Sequence, residues 1–235
     1  TVCKMNMKGS CVMKLRHEWK HEISYSEAYA LKTRLSLVME TDENSINGKY
    51  LVRSLYFDNL NDKVLREKLD GVSRREKFRL RYYNNNTDFI VLEKKSKLNG
   101  LCSKEKVQLN IEEVKAVLNS DFTALENIDK PLVQELLLKM KTSGLRPKTI
   151  VDYDREAFVF GPGNVRVTID SNIRTGMMST DFLNPNAITI PAGDAPIVLE
   201  VKWDEFLPAF VRDLVQMKQC RTSAFSKYAS CRIYG

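Results

Sequence analysis

Apolar and polar residues alternate along several short segments of the chain with the period of a β-strand. In KFRLRYYN, residues 77–84, three apolar side chains point to one side and four basic or polar ones to the other (Phe78, Leu80 and Tyr82; Lys77, Arg79, Arg81 and Tyr83). The same alternation recurs in six more segments: EWKHEI, IVLEKK, SKEKVQL, VDYDREAF, VRVTID and IVLEVKW. The pattern therefore predicts a set of strands that each have one charged and one apolar face.

Five other segments have the apolar spacing of amphipathic helices. Two of them begin with a capping box, Ser24 with Glu27 and Asn110 with Glu113. The first predicted helix begins after Ser24, the second spans Asn61 to Leu69, and the third begins after Asn110 and extends to Leu118. The fourth begins at Pro131 and ends at Gly144, and the fifth spans Leu207 to Cys220. We expect their apolar stripes to pack in the core.

Turn sequences connect the predicted strands directly. YYNNNTDF, KLNGLC and VFGPGNV are all typical of hairpin connections, and Asn99-Gly100 is the strongest of these signals. Consecutive strands joined by short turns are antiparallel, so the sequence predicts an α+β fold rather than a doubly wound parallel sheet. No linker divides the chain, and we expect one domain over residues 1–235, with 1–13 as a poorly defined N-terminal extension.

The charged sides of the strands lie either against solvent or against an enclosed interior. A flat sheet with one wet face fits the strand pattern equally well. The helices favour an antiparallel β-barrel of about eight strands, because their apolar stripes need the outer face of a sheet and the charged faces then converge inside. Like charges about 8 Å apart repel by roughly 2 kcal/mol at an effective dielectric near 20, so such an interior favours a polyanionic ligand. Glu93 and Glu200 are expected to offset part of this charge or to hold a divalent ion.

The formal net charge of +7 is concentrated in one part of the chain. Residues 74–106 contain ten Lys or Arg and four acidic residues, and this local excess indicates an anionic partner. The five cysteines form no CxxC pair and only two histidines are present, so neither a disulfide framework nor a zinc site is expected. No apolar run has the length of a membrane span, and residues 1–13 lack the apolar region of a secretory signal. We therefore expect a cytoplasmic protein.

Eight short motifs in order along the chain resemble one family. They are SLYFDN, FRLRYY, VLEKK, SKEK, DREAF, VRVTID, VLEVK and FSKY. Between about Lys20 and Tyr228 the sequence resembles the VTC domain, the catalytic domain of the vacuolar transporter chaperone polyphosphate polymerases, in a stand-alone bacterial-type form. That domain is one of the triphosphate tunnel metalloenzymes, so the resemblance implies a tunnel of antiparallel strands lined with basic residues.

The resemblance also implies a reaction and its residues. The family transfers the terminal phosphate of ATP to a growing inorganic polyphosphate chain with Mn²⁺ or Mg²⁺, leaving ADP. The implied catalytic residues are Arg79, Arg81, Glu200 and Lys227, with Glu200 as the metal ligand. The implied phosphate-binding residues are Lys20, Arg79, Arg81, Lys95, Lys104, Arg155, Arg166, Ser226 and Lys227, and Lys202 is a further expected contact because it shares a strand face with Glu200. Phosphoryl transfer suits such a set, since it needs positioning and charge neutralisation more than covalent help.

One departure separates this chain from the hydrolases and cyclases of the same superfamily. Those proteins carry an E-x-E-x-K signature near the N-terminus, whereas this chain has Glu18-x-Lys20-x-Glu22. The order favours a polymerase, with a tunnel triphosphatase or a non-catalytic polyphosphate-binding protein as alternatives. Nucleic acid is not expected as a partner, because the basic strands have little aromatic interleaving for base stacking.

Membrane attachment is expected only through another protein. The eukaryotic polymerases add an N-terminal regulatory domain and C-terminal membrane helices, and this sequence contains neither. A separate membrane-protein partner is therefore expected to provide any attachment.

Overall fold

The computed structural model describes residues 16–43, 45–98, 101–194, 196–216 and 225–233. The strands are β1 (His17–Ile23), β2 (Glu40–Thr41), β3 (Tyr50–Asp58), β4 (Arg74–Tyr83), β5 (Asn86–Leu98), β6 (Leu101–Leu109), β7 (Arg146–Phe160), β8 (Val165–Thr175), β9 (Ile190–Pro191) and β10 (Ile197–Trp203). The helices are α1 (Tyr25–Leu35), α2 (Lys63–Leu69), α3 (Ile111–Asn119), α4 (Phe122–Glu126), α5 (Pro131–Ser143), α6 (Ala209–Val215) and α7 (Lys227–Ile233).

Eight strands form one antiparallel sheet in the order β1-β10-β8-β7-β3-β4-β5-β6, to which the short β2 and β9 are added. The sheet curls into a half-barrel with β1 and β6 at its two edges. Side chains bridge the remaining gap, since Lys95 Nζ of β5 lies 3.5 Å from the Glu18 carboxylate of β1. The predicted α+β fold, an antiparallel sheet of about eight strands with surrounding helices, is confirmed. We call the space enclosed by the concave face the tunnel.

Local sequence signals account for many element boundaries. Both predicted capping boxes are present, at the start of α1 and of α3. Helix α5 ends at Gly144, whose φ of 66° lies in the left-handed region that glycine tolerates best. The β4–β5 turn uses two asparagines in the same region, Asn84 and Asn85.

Three predicted segments lie wholly or partly outside the described residues. The Asn99-Gly100 turn lies outside the described residues, although Leu98 and Leu101 on either side of it pair in the antiparallel ladder. The predicted helix from Leu207 to Cys220 is observed as α6, and its last four residues are not described. The N-terminal extension, residues 1–13, also lies outside.

The apolar residues form three cores. On the convex face, one core joins Leu80 and Leu92 of the sheet to Leu136 of α5, and a second joins Leu199 to Leu31 of α1. The third core lies on the concave face, where α7 packs against Tyr56, Val151 and Val198. Apolar packing against α7 thus occupies one part of the tunnel and leaves charged residues in the rest. None of the described helices has both the length and the apolar character that crossing a membrane requires.

Candidate functional site

The sequence-predicted site residues lie together on the concave face of the half-barrel. Strand alternation places them there, and antiparallel register sets neighbours side by side, with Lys20 opposite Glu200 and Arg79 opposite Glu93. The strands contribute Lys20, Arg79, Arg81, Lys95, Lys104, Arg155, Arg166, Glu200 and Lys202. Lys227, the first residue of α7, and Ser226 before it approach from the helix side. Four interior carboxylates, Glu18, Glu93, Asp170 and Glu200, organise most of these cations, and we call these four with their partners the tunnel centre.

Glu93 holds the cations of β4 and β6. Its carboxylate accepts a hydrogen bond from Arg79 Nε at 2.7 Å and lies 2.6 Å from Arg79 Nη2. It also pairs with Lys104 and lies 3.9 Å from Arg81 Nη1. Burial raises the pKa of the Glu93 carboxyl, but the charges of Arg79, Arg81 and Lys104 outweigh it and hold the pKa well below its ordinary value. Glu93 is therefore an internal anion among cations that the sequence predicted to bind phosphate.

Glu200 and Glu18 organise the cations of β1, β5 and β10. Glu200 lies 3.1 Å from Lys20 and 2.8 Å from Lys202. Glu18 contacts the same two lysines at 3.1 and 3.4 Å, and Lys95 at 3.5 Å. Although burial raises the pKa of Glu200, the charges of Lys202 and Lys20 lower it well below the usual range. The two carboxylates thus lie side by side within one group of lysines.

Asp170 links α7 to the wall of the tunnel. Its carboxylate binds Arg155 through two hydrogen bonds of 2.6 and 2.7 Å and Lys227 at 2.7 Å. The carboxylate is fully buried, which raises its pKa, but the charges of Arg155 and Lys227 bring the pKa down to about 2. Lys227 also lies 4.8 Å from the ring centroid of Tyr153. These contacts fix the position of the Lys227 ammonium group inside the tunnel.

Tyrosines complete the polar wall. Tyr153 accepts a hydrogen bond from Arg81 at 3.0 Å, and Tyr56 accepts one from Arg79 at 2.8 Å. Burial raises the pKa of the Tyr56 hydroxyl, yet the charges of Arg79, Lys77 and Arg81 lower it to about 7. Arg166 has its own partners, pairing with Asp42 and donating to the Tyr50 hydroxyl at 2.9 Å. Tyrosine hydroxyls therefore orient the guanidinium groups of two strands.

The carboxylates present fit part of the coordination of a divalent cation and leave the other positions to further oxygen ligands. Among the described residues, no group of three or more His, Cys, Asp or Glu side chains is arranged to hold a metal ion. Glu200 and its neighbour Glu18 nevertheless offer carboxylate oxygens, the ligand type that Mg²⁺ and Mn²⁺ prefer. Mg²⁺ is often bound by one or two carboxylates together with phosphate oxygens, which is the arrangement these residues permit.

Several interior residues were not among the sequence-predicted site residues. They are Glu18, Lys77, Tyr56, Tyr153 and Asp170. Strand alternation nevertheless indicated the side of the sheet on which they lie. Lys77 shares a strand face with Arg79, and Asp170 shares one with Arg166. What parity does not reveal is which cation each carboxylate binds, since these partners come from distant parts of the chain.

A cavity of about 230 Å³ opens beside the tunnel centre. Residues of β1, the β4–β5 hairpin, α2 and α7 line it, including Lys20, Lys95 and Ser226. Ser226 accepts a long hydrogen bond of 3.4 Å from the Ala229 amide, so its hydroxyl is held at the start of α7. The cavity therefore connects predicted phosphate-binding residues with the exterior.

The chain has similarity to known proteins and to one protein family. The solved structures that resemble the fold include a candidate adenylate cyclase of Bacillus halodurans (13% identity, TM-score 0.47, covering 81% of this chain and 80% of that one). They also include two proteins of Pyrococcus horikoshii (12% and 11% identity, TM-scores 0.48 and 0.45, covering 88% of this chain and 95% and 94% of those). Among curated proteins, no sequence matches this one. The family model described as VTC domain matches residues 15–233, which include every described strand and helix. The chain belongs to the VTC domain family.

Proposed function

We propose that this chain is a polyphosphate polymerase, which transfers the terminal phosphate of ATP to an inorganic polyphosphate chain with the help of Mn²⁺ or Mg²⁺. Family membership supports the coarser function, a polyphosphate or triphosphate-tunnel type of activity. The observation that carries the finer proposal is the convergence of basic residues from seven strands and α7 on one concave face (Lys20, Arg79, Arg81, Lys95, Lys104, Arg155, Arg166, Lys202 and Lys227).

The interior carboxylates explain how such a face stays folded and ready for phosphate. Glu93 already occupies the side of Arg79 and Arg81 where a phosphate group would bind, so these guanidinium groups are oriented before the substrate arrives. Arginine forks bind phosphate bidentately, and lysines supply compact charge. We therefore infer that phosphate oxygens take over contacts that Glu93 makes in the free protein.

The reaction needs positioning and neutralisation of charge. A terminal oxygen of the polyphosphate chain is already ionised, so it attacks the γ-phosphorus of ATP without a protein base. The new P–O bond forms as the β–γ bridge breaks, and ADP leaves with the bridging oxygen. Arg79, Arg81 and Lys227 stabilise the charge on the transferred group. Glu200 would hold a divalent cation, and the chemistry that the cation would supply there is neutralisation of part of the phosphate charge.

The proposal is tested by incubating purified protein with ATP and Mn²⁺ and following ADP and polymer over time. ADP formation matched by a growing phosphate ladder on a gel is the expected result. Free phosphate without a ladder would assign hydrolysis, the tunnel triphosphatase alternative. Absence of turnover, together with heat stabilisation by tripolyphosphate, would assign a binding protein.

Variants connect the activity to the tunnel. We expect Arg79→Ala to lower the polymerisation rate by about a thousandfold or more, the lower end of what an arginine at a transferred phosphoryl group contributes. Lys227→Ala is expected to have a similar effect. Arg74→Ala is the matched control, because Arg74 is exposed on β4 at a position of the opposite parity to Arg79. Equal rates for Arg79→Ala and Arg74→Ala would contradict the tunnel as the site.

A further inference from the structure

The cavity beside the tunnel centre carries a second group of cations. Four basic residues that line it belong to none of the eight family motifs: Lys68 on α2, Arg75 and Lys77 on β4, and Lys97 on β5. We call these four residues the vestibule. The cavity also borders Lys20 and Lys95 of the tunnel centre, so the two groups of cations are continuous.

Strand register places like charges of the vestibule directly opposite each other. Arg75 faces Lys97, and Lys77 faces Lys95, across the antiparallel β4–β5 pair. Like charges in such positions destabilise a sheet. Two residues further along β4, Arg79 faces Glu93, an opposite charge. The sheet therefore changes from compensated to uncompensated charge between Arg79 and Lys77.

Three of the vestibule cations, Arg75, Lys77 and Lys97, form no ion pair with a carboxylate of the described residues. Arg75 donates to the Val72 carbonyl at 2.8 Å, Lys77 lies 5.7 Å from the ring centroid of Tyr56, and no ion pair of Lys97 occurs within the described part of the chain. Two carboxylates border the cavity, but both have other partners. Glu18 pairs with Lys20, Lys95 and Lys202, and Glu76 pairs with Lys94 and Lys139. The excess of positive charge at the vestibule is therefore a property of the free protein.

The pKa of Lys77 reflects this excess. Burial lowers it most, and the charges of Lys95, Arg79 and Lys20 lower it further, against the opposing effect of Tyr56, to about 7. Burial and the charges of Arg75, Lys20 and Lys97 also lower the pKa of Lys68. An anion in the cavity would relieve both effects.

We propose that the vestibule binds the non-reacting part of a linear polyphosphate chain, as an extension of the tunnel centre towards the exterior. This inference rests on the proposed function for its ligand. Arg79, Lys77 and Arg75 form a row with a cation at about every 7 Å along one strand face, which suits an anion with regularly repeated charge. At about 230 Å³ the cavity lies below the roughly 300–1,000 Å³ of pockets that enclose drug-sized ligands, so a thin chain fits it better than a nucleoside does.

The inference predicts that affinity depends on chain length through these cations. Binding of size-fractionated long-chain polyphosphate and of tripolyphosphate is measured by calorimetry, without ATP, for the wild type and for Arg75→Ala/Lys97→Ala. We expect the double variant to bind the long chain about ten- to a hundredfold more weakly, because charge-assisted contacts to phosphate are lost, and tripolyphosphate within about twofold of the wild type. The control is Arg74→Ala/Lys115→Ala, which removes the same charge from exposed positions.

Three outcomes would overturn the inference. They are an unchanged affinity of the double variant for long chains, an equal loss for tripolyphosphate, and a single-stranded oligonucleotide that binds the wild type as tightly as polyphosphate does. Misfolding is checked by thermal unfolding, since removal of facing like charges should leave the free variant at least as stable as the wild type. The binding measurement requires no turnover. If the protein does not polymerise phosphate but its affinity still depends on chain length through Arg75 and Lys97, the polymerase proposal is rejected and the vestibule remains a polyphosphate-binding site.

Discussion

The tunnel centre and the vestibule are adjacent, but carboxylates compensate the cations in the first and not in the second. In the centre, each of Glu18, Glu93, Asp170 and Glu200 binds two or more cations at short distances. In the vestibule, Arg75 and Lys97 face each other without a carboxylate partner in the described residues. One polyanion site can thus combine cations that carboxylates orient in advance with cations whose mutual repulsion only the ligand relieves.

The two arrangements have opposite consequences for stability. Internal carboxylates allow the centre to hold several buried cations in fixed geometry, which favours precise placement of a reacting group. Repulsion between uncompensated cations destabilises the free protein. A bound polyanion removes this repulsion, which increases its affinity. Removing a charge should therefore destabilise the fold in the centre and stabilise it in the vestibule.

The largest effect is expected for Asp170→Asn in the centre. The variant leaves Arg155 and Lys227 without their buried partner, and breaking a buried ion pair in this way costs about 3–5 kcal/mol. Urea unfolding at neutral pH measures the loss. Because the folded pKa of Asp170 is lowered from 3.8 to about 2, its stabilisation is present above 3.8 and disappears as the pH falls towards 2.

Asp154→Asn is the matched control for that measurement. Asp154 also lies on a sheet strand, but its nearest cation is Lys49 at 3.9 Å, and both side chains are partly exposed. Such pairs contribute about 0–1 kcal/mol. A loss for Asp170→Asn no larger than that of Asp154→Asn would show that the buried carboxylate does not organise the centre.

The next effect concerns Glu200 and metal dependence. If Glu200 holds the divalent cation, Glu200→Gln should raise the Mn²⁺ concentration that gives half-maximal ADP release by at least about tenfold, since even outer-shell partners of a metal contribute 10- to 100-fold. Glu18→Gln is the control, because Glu18 contacts the same two lysines. Equal metal dependence in the two variants would leave Glu200 without a distinct metal role and make the two carboxylates equivalent.

The sequence allowed the fold and the faces of the strands to be predicted from local patterns. Alternation in KFRLRYYN placed Arg79 and Arg81 opposite Phe78 and Leu80, and the structure has the same division, with Phe78 and Leu80 buried in the convex core. Both capping boxes and the Gly144 stop were likewise recognisable, because their hydrogen bonds and φ values depend on residues near in sequence.

The ion pairs of the site were not predictable in the same way. Lys227 and Asp170 are far apart along the chain and meet only because α7 packs inside the half-barrel. An apolar helix stripe indicates burial but does not tell which face of a sheet it covers. Glu18 was interpreted as a departure from a hydrolase signature, whereas its carboxylate joins the lysines around Glu200. Pairing across the tunnel depends on curvature, which strand alternation does not encode.

A smaller effect is expected from pH, through Lys77 at the boundary between the two regions. The charged groups facing it are Lys20, Tyr56, Arg79 and Lys95, and its pKa in the free protein is about 7. A bound polyanion favours the charged ammonium, so above pH 7 binding must take up a proton. Affinity for long-chain polyphosphate should then fall by up to about tenfold per pH unit as the pH rises from 7 to 9.

Calorimetry in buffers of different ionisation enthalpy detects that proton uptake. Lys77→Met should remove part of it and reduce the pH dependence between 7 and 9, since the Tyr56 hydroxyl, whose pKa is also about 7, takes up a proton in the same range. Lys63→Met, a change at an exposed lysine of α2, should leave both unchanged and accounts for titration of the ligand itself. The same slope in Lys77→Met as in the wild type would mean that Lys77 keeps one charge state in the free and bound protein.

The smallest effect is expected from restoring charge complementarity in the vestibule. Lys97→Glu places a carboxylate opposite Arg75, and an opposite-charge pair in this position contributes roughly 0.2–1 kcal/mol to a sheet. Urea unfolding of the free protein should therefore show a gain of that size, with Lys97→Gln intermediate. The same substitution should weaken binding of long-chain polyphosphate, because the new carboxylate competes with phosphate for Arg75. A variant that gains stability and keeps its affinity would show that repulsion at this pair is not relieved by the ligand, and the contrast between centre and vestibule would then concern folding alone.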